Sequence, residues 1–185
     1  KWSGKIGFAP NNASWQSFVT ALRVLRGEDE AEKWLTGFAA NKPVAYEKNG
    51  VVRDAVNAGE VSLGLVNHYY LYEKIAAEGA NKIVAKNQYM APGDVGGLIN
   101  VAGVGILSSA PHKSAAKKFV EFLQSETANE YFRTKTWEYL LSNDATQPEG
   151  LPSLSELKAP SFDLSNLKSI EATQELLQKV GLLTK

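Results

Sequence analysis

Tyr69, Tyr70 and Tyr72 crowd into four residues of the stretch "GEVSLGLVNHYYLYEK", residues 59–74. A phenolate is a hard, anionic oxygen donor, and such donors suit a small ion of high charge such as Fe(III) better than soft or divalent ions. Free tyrosine titrates near pH ~10, so at neutral pH the metal must displace the phenol proton. Whether neighbours in sequence can share one ion depends on the backbone beneath them. On a strand, Tyr69 and Tyr70 would point to opposite faces. On the first turn of a helix they would stand about 100° apart, and two long phenols could converge. Tyrosines at a helix start also serve as plain packing residues, ring buried and hydroxyl bonded. Spacing alone leaves both roles open.

A second candidate is Asn12, Ala13 and Ser14, where a predicted helix begins directly after a predicted strand. Unpaired backbone N–H groups and the helix dipole make such a turn an anion site, although Asn12 or Ser14 could equally act as a simple cap. Asn49, at the start of another predicted helix, and Asn67 lie at the ends of predicted strands. In an open α/β sheet those ends share one crevice where ligands bind.

Other chemistries find no support. The two histidines, His68 and His112, have no nucleophile in a recognisable turn nearby, and no GxSxG, P-loop or HExxH pattern occurs. An enzyme is therefore not expected. Cysteine is absent, which excludes disulfides and thiolate metal sites. Lys plus Arg and Asp plus Glu number 20 each, and a net charge of zero argues against nucleic acid as a partner. No apolar run approaches the roughly 20 residues of a membrane-spanning helix.

The elements that must position these residues alternate between strand and helix. "GKIGFAP" reads as a strand, followed by a helix with Trp15, Phe18, Val19 and Leu22 on one face and Gly27 as its stop. A second helix is predicted from about Glu28 to Ala40, with Ala31, Trp34, Leu35 and Phe38 inward. "PVAYE" and "EVSLGLV" read as strands, separated by a short helix that Gly59 stops, and Asn67 is placed as the cap of a helix from about His68 to Glu78. "NKIVAKN" and "LINVAGVGILSSAP" are further predicted strands. "HKSAAKKFVEFLQSETANEYFRTKT" is predicted as one long or two shorter helices, and the segment around Pro148, Pro152 and Pro160 as extended and irregular. A last helix from about Leu164 to Val180 would turn Leu167, Ile170, Leu176 and Leu177 to one side. This order implies βαβ units and a mainly parallel sheet.

Along nearly the whole chain, "GKIGFAPNNAS", "AVNAGEVSLGLVNHYYLY", "NVAGVGILSSAPHKSAAKKFVEFLQSETANEYF", "TWEYLL" and "ELLQKVGLLTK" resemble the periplasmic ferric-ion-binding proteins. These are the substrate-binding components of bacterial iron ABC transporters. The resemblance implies an α/β, periplasmic-binding-protein-like (type II) fold of two lobes. Residues 1–99 would form most of the second lobe, 100–150 would cross to the first, and 151–185 would return. It implies Tyr69 and Tyr70 as Fe(III) ligands. Asn12, Ala13, Ser14, Asn49 and Asn67 would hold a synergistic anion, phosphate or carbonate. A His and a Glu, or in some members further oxygen donors, would come from an N-terminal lobe segment that nothing in this chain matches. The implied partner is a membrane permease, the implied state a monomer. The implied location is the periplasm, or a lipid anchor outside the membrane in a Gram-positive cell. The alternative is a receptor of the same fold for an organic solute or oxyanion.

Overall fold

The computed structural model describes residues 1–141, 145–167 and 170–183. The chain forms two compact units, one of residues 1–100 with 157–185, the other of residues 101–156.

The first unit is built on a parallel three-stranded sheet, order β2-β1-β3, from Ile6–Phe8 (β1), Val44–Ala45 (β2) and Leu63–Gly64 (β3). Gly7 pairs with Val44 on one side and Gly64 on the other. Each strand runs into a helix. β1 leads to α1 (Ala13–Arg26), β2 to α3 (Asn49–Ala58) and β3 to α4 (Tyr69–Glu78), while α2 (Glu28–Ala40) packs on α1. Because the strands are parallel, the N-termini of α1, α3 and α4 all lie on the carboxyl edge of the sheet. That edge is where the candidate residues fall.

Local chemistry explains the helix bounds. Asn12, with extended φ and ψ, accepts the Ser14 N–H at 2.9 Å and so caps α1. Gly27 ends α1 at φ 84°, and Gly59 ends α3 in the left-handed region. Three acidic residues, Glu28, Asp29 and Glu30, occupy the first turn of α2, where the dipole favours them.

The core joins Phe8, Trp15, Val19, Leu22, Leu35 and Phe38 to Leu176 and Leu177 of α8 (Ile170–Lys179). Full burial of each such side chain contributes roughly 1.5–3 kcal/mol. Trp15, next to the candidate anion turn, is buried among Phe8 and Phe38 and packs edge-on to Phe8 at 5.2 Å. Polar stitching also ties α8 to α1. Arg23 donates to the Thr173 hydroxyl at 2.8 Å, which lies 2.7 Å from the Thr20 hydroxyl, itself a donor to the Gln16 carbonyl.

The second unit contains α5 (Lys113–Leu123) and α6 (Glu126–Lys135), with Ser125 capping α6 through the Ala128 N–H. α7 (Leu154–Leu157) is a single turn at the unit boundary. Thus the predicted stretch around α5 resolves into two helices.

Several expectations are corrected. "NKIVAKN" forms no strand: its start is a 3-10 turn, Ala80–Lys82, and the Val84 and Ala85 N–H groups go to the Asn57 side chain. An amide oxygen there supplies the acceptor that a neighbouring strand would have offered. Residues 98–110 also form no strand, because apolarity cannot make a ladder without a partner strand. β3 keeps only two residues of the predicted strand "EVSLGLV", with Leu63 at the surface. Trp34 and Ile170 face outward, 42% and 47% exposed, Trp34 lying flat on Phe38. The last helix begins at Ile170, with a separate 3-10 turn at Leu164–Asn166. Residues 142–144 of the expected irregular segment, and 168–169 of the expected last helix, lie outside the described residues.

Candidate functional site

Tyr69 and Tyr70 are the first two residues of α4, so the backbone under them is helical. Their ring centroids are 4.6 Å apart and tilted by 35°. The two rings converge, as first-turn neighbours can and strand neighbours cannot. Tyr72 follows in the same turn, partly buried.

The cap of α4 departs from expectation. His68, at φ −59° and ψ −38°, precedes the helix with no side-chain capping bond, and Asn67 is not the cap. The Asn67 amide turns elsewhere: Nδ2 donates to Ser14 Oγ and to Tyr69 Oη, each at 2.9 Å. One side chain therefore links the first turn of α1 to the first turn of α4, across 53 residues of sequence.

At α1, Asn12 Oδ1 takes the Ser14 N–H, so the carboxamide oxygen of Asn12 caps the helix. First-turn N–H groups of a helix have no carbonyl within it to bond, and Ala13 lies exposed there. Gln16 Nε2 donates to the Pro10 carbonyl at 3.3 Å and Gln16 Oε1 accepts from Gln174 at 3.1 Å, which holds the β1–α1 loop to α8. Asn49 is the first residue of α3 and is buried. It shares the carboxyl edge by topology, while the bonded cluster consists of Asn12, Ser14, Asn67 and Tyr69.

Residues that sequence reasoning missed brace this turn. Arg53 of α3 donates through Nη1 to the Tyr70 carbonyl at 2.9 Å and through Nε to Asp54. Lys74 of α4 reaches Asp54 at 3.0 Å and Glu78 at 2.7 Å. The hydrogen bond from Arg53, then that from Lys74, holds the Asp54 carboxyl below its ordinary value against the opposing effect of burial. Bonds to Glu78 and then Asp54 raise Lys74. A salt pair at i, i+4 was visible for Lys74 and Glu78. Nothing in sequence signalled that Arg53 and Tyr70 would meet.

Among the described residues no group of three His, Cys, Asp or Glu side chains could hold a metal ion. Amides, a hydroxyl and helix N-termini gathered at the carboxyl edge of an open sheet define a binding module.

Comparison with known proteins agrees with that class. The chain belongs to the bacterial extracellular solute-binding proteins, whose family model matches residues 2–130. It is 33% identical to the Fe(3+)-binding periplasmic protein of Serratia marcescens, over 99% of this chain and 54% of that one. It is 32% identical to the major ferric iron-binding protein of Neisseria meningitidis, over 98% of this chain and 55% of that one. Iron-bound HitA from Pseudomonas aeruginosa superposes with a TM-score of 0.91 at 31% identity, over 98% of this chain and 58% of HitA. The fold is thus that of a periplasmic-binding-protein-like α/β molecule, and the family is one of solute binders, not enzymes. The chain spans about half the length of these relatives.

Proposed function

We propose that the chain is part of a ferric-ion receptor, the substrate-binding component of a bacterial iron ABC transporter. One observation carries the proposal: Tyr69 and Tyr70 converge on the first turn of α4 with ring centroids 4.6 Å apart. The similarity to the Serratia and Neisseria proteins, both ferric binders, supports it.

In this reading, Tyr69 and Tyr70 bind Fe(III) as phenolates, each losing its proton to solvent as the ion arrives. A synergistic anion, phosphate or carbonate, sits at the α1 N-terminus on Asn12, Ala13 and Ser14, with Asn49 and Asn67 alongside. Two phenolates and an anion come close to cancelling the charge of Fe(III), which limits the cost of burying it. Residues 1–99 and 151–185 belong to one lobe and 100–150 to the other. Closure of the lobes over iron is a hinge motion biased by the ligand, and the closed form delivers iron to a membrane permease. The receptor works as a monomer in the periplasm.

The test is optical. Ferric iron added to the protein should produce a visible phenolate-to-iron charge-transfer band, and Tyr69→Phe with Tyr70→Phe should abolish it. No band in the wild type, or an organic adduct without iron in native mass spectrometry, would overturn the proposal in favour of a receptor for an organic solute.

A further inference from the structure

Resting on the ferric assignment above, we propose that Asn67 is a positioning residue for the iron ligand Tyr69, and that it carries the state of Ser14 to the metal. The Asn67 Nδ2 group has two N–H donors, and both are used, one on Ser14 Oγ and one on Tyr69 Oη, each at 2.9 Å. A phenolate can only accept. The amide orientation that presents Nδ2 to Tyr69 is therefore the one compatible with a deprotonated, metal-bound phenol.

A bond to an ionised acceptor is about twice as strong as a neutral one. The Asn67 amide thus holds the Tyr69 oxygen in place. Its other N–H fixes the amide plane. Ser14 Oγ accepts that bond, which leaves its own O–H to donate elsewhere, while the Ser14 backbone N–H is already taken by Asn12. Any acceptor that draws on the Ser14 hydroxyl makes Oγ a better partner for Asn67, since linked hydrogen bonds polarise one another. A change at the first turn of α1 is in this way felt at a phenol oxygen on α4, through one side chain.

Asn67 is free to serve this purpose because α4 does not use it as a side-chain cap. It is only partly buried, so truncation removes the bridge without emptying the core. His68, whose ring centroid lies 5.5 Å from that of Tyr69, packs against the phenol edge-on.

The experiment uses the wild-type protein, Asn67→Ala and Ser14→Ala, each titrated with ferric nitrilotriacetate and followed by the charge-transfer band. A donor to the phenolate oxygen lowers the energy of its lone pairs, so losing it moves the band to longer wavelength. N67A should show that shift and hold iron about tenfold less tightly or worse, the effect of one hydrogen bond to a charged group. S14A, which leaves Asn67 and both phenols in place, should shift the band in the same direction by less. Either variant keeping both the wild-type band position and affinity overturns the bridge while leaving the ferric assignment standing. A wild-type protein without a band removes the ferric assignment, and this inference falls with it.

Discussion

A methyl group added at Gly64 would lie 2.8 Å from Val52 Cγ1 and 2.9 Å from Val56 Cγ2. Gly7, its partner in the sheet, faces Tyr46 at 2.9 Å and the same Val52 methyl at 3.2 Å. These two glycines let α3 lie close against β1 and β3, and that approach brings Asn49 and Arg53 to the carboxyl edge. Gly64→Ala should therefore cost about 1–3 kcal/mol, the usual penalty for overpacking a tight contact. Urea denaturation checks this; an unchanged midpoint would mean that α3 yields freely. The polar residues of the edge are legible one at a time in sequence, but their division of labour is not. Asn12 spends its amide on a cap and Asn67 spends its amide on Ser14 and Tyr69. Both are Asn beside a helix start, and only their tertiary neighbours separate the two roles.

Helices α3 and α4 are held together by a charged brace, Arg53–Asp54–Lys74–Glu78, whose Arg53 also bonds the Tyr70 carbonyl. The pH dependence follows from the directions of the shifts. The Asp54 carboxyl is lowered in the folded chain, so its contribution is fully present above its ordinary value of 3.8 and is lost as pH falls through the folded value. Lys74 is raised, so its contribution is present below its ordinary value of 10.5 and is lost as pH rises through the folded value. The brace is therefore intact across the neutral range. Asp54→Asn should remove the acid-side part. Wild type should lose more stability between pH 7 and pH 3 than D54N does, by less than about 1 kcal/mol because Asp54 is half exposed to solvent. Equal losses in the two proteins would show that the brace adds nothing on acidification. At this scale the sequence was most legible. α1 begins at its Asn12 cap and ends at Gly27, α2 begins with its acidic first turn, and α3 ends at Gly59, because those signals act within one turn. Strands beyond the central three were misread, because a strand exists only through its neighbour.

The two units differ in how much core they own. In the first unit, Phe8, Val19, Leu35, Val52 and Leu177 are fully buried. In the second, α5 buries no residue, and Val104, Leu107, Phe119 and Phe122 are at least half exposed. Regions with little buried apolar surface open most readily. Amide hydrogen exchange should accordingly be faster in α5 and α6 than in α1 and α2. Protection of α5 equal to that of α1 would contradict the comparison. No helix among the described residues is long and apolar enough to cross a membrane.

By itself the sequence determined the α/β class, the limits of α1 and α2 and the end of α3, the phenol and amide chemistry available, and a resemblance that the family match bears out. Those properties depend on residue type and on spacing within a turn or two, which the chain carries locally. Only the tertiary structure decided that Asn67 reaches Ser14 and Tyr69, that Arg53 meets the Tyr70 carbonyl, and that Trp34 lies at the surface. Such contacts join residues 17 or 53 positions apart. They arise because parallel strands carry the starts of three helices to one edge of the sheet, and no local pattern encodes which side chains will face each other there.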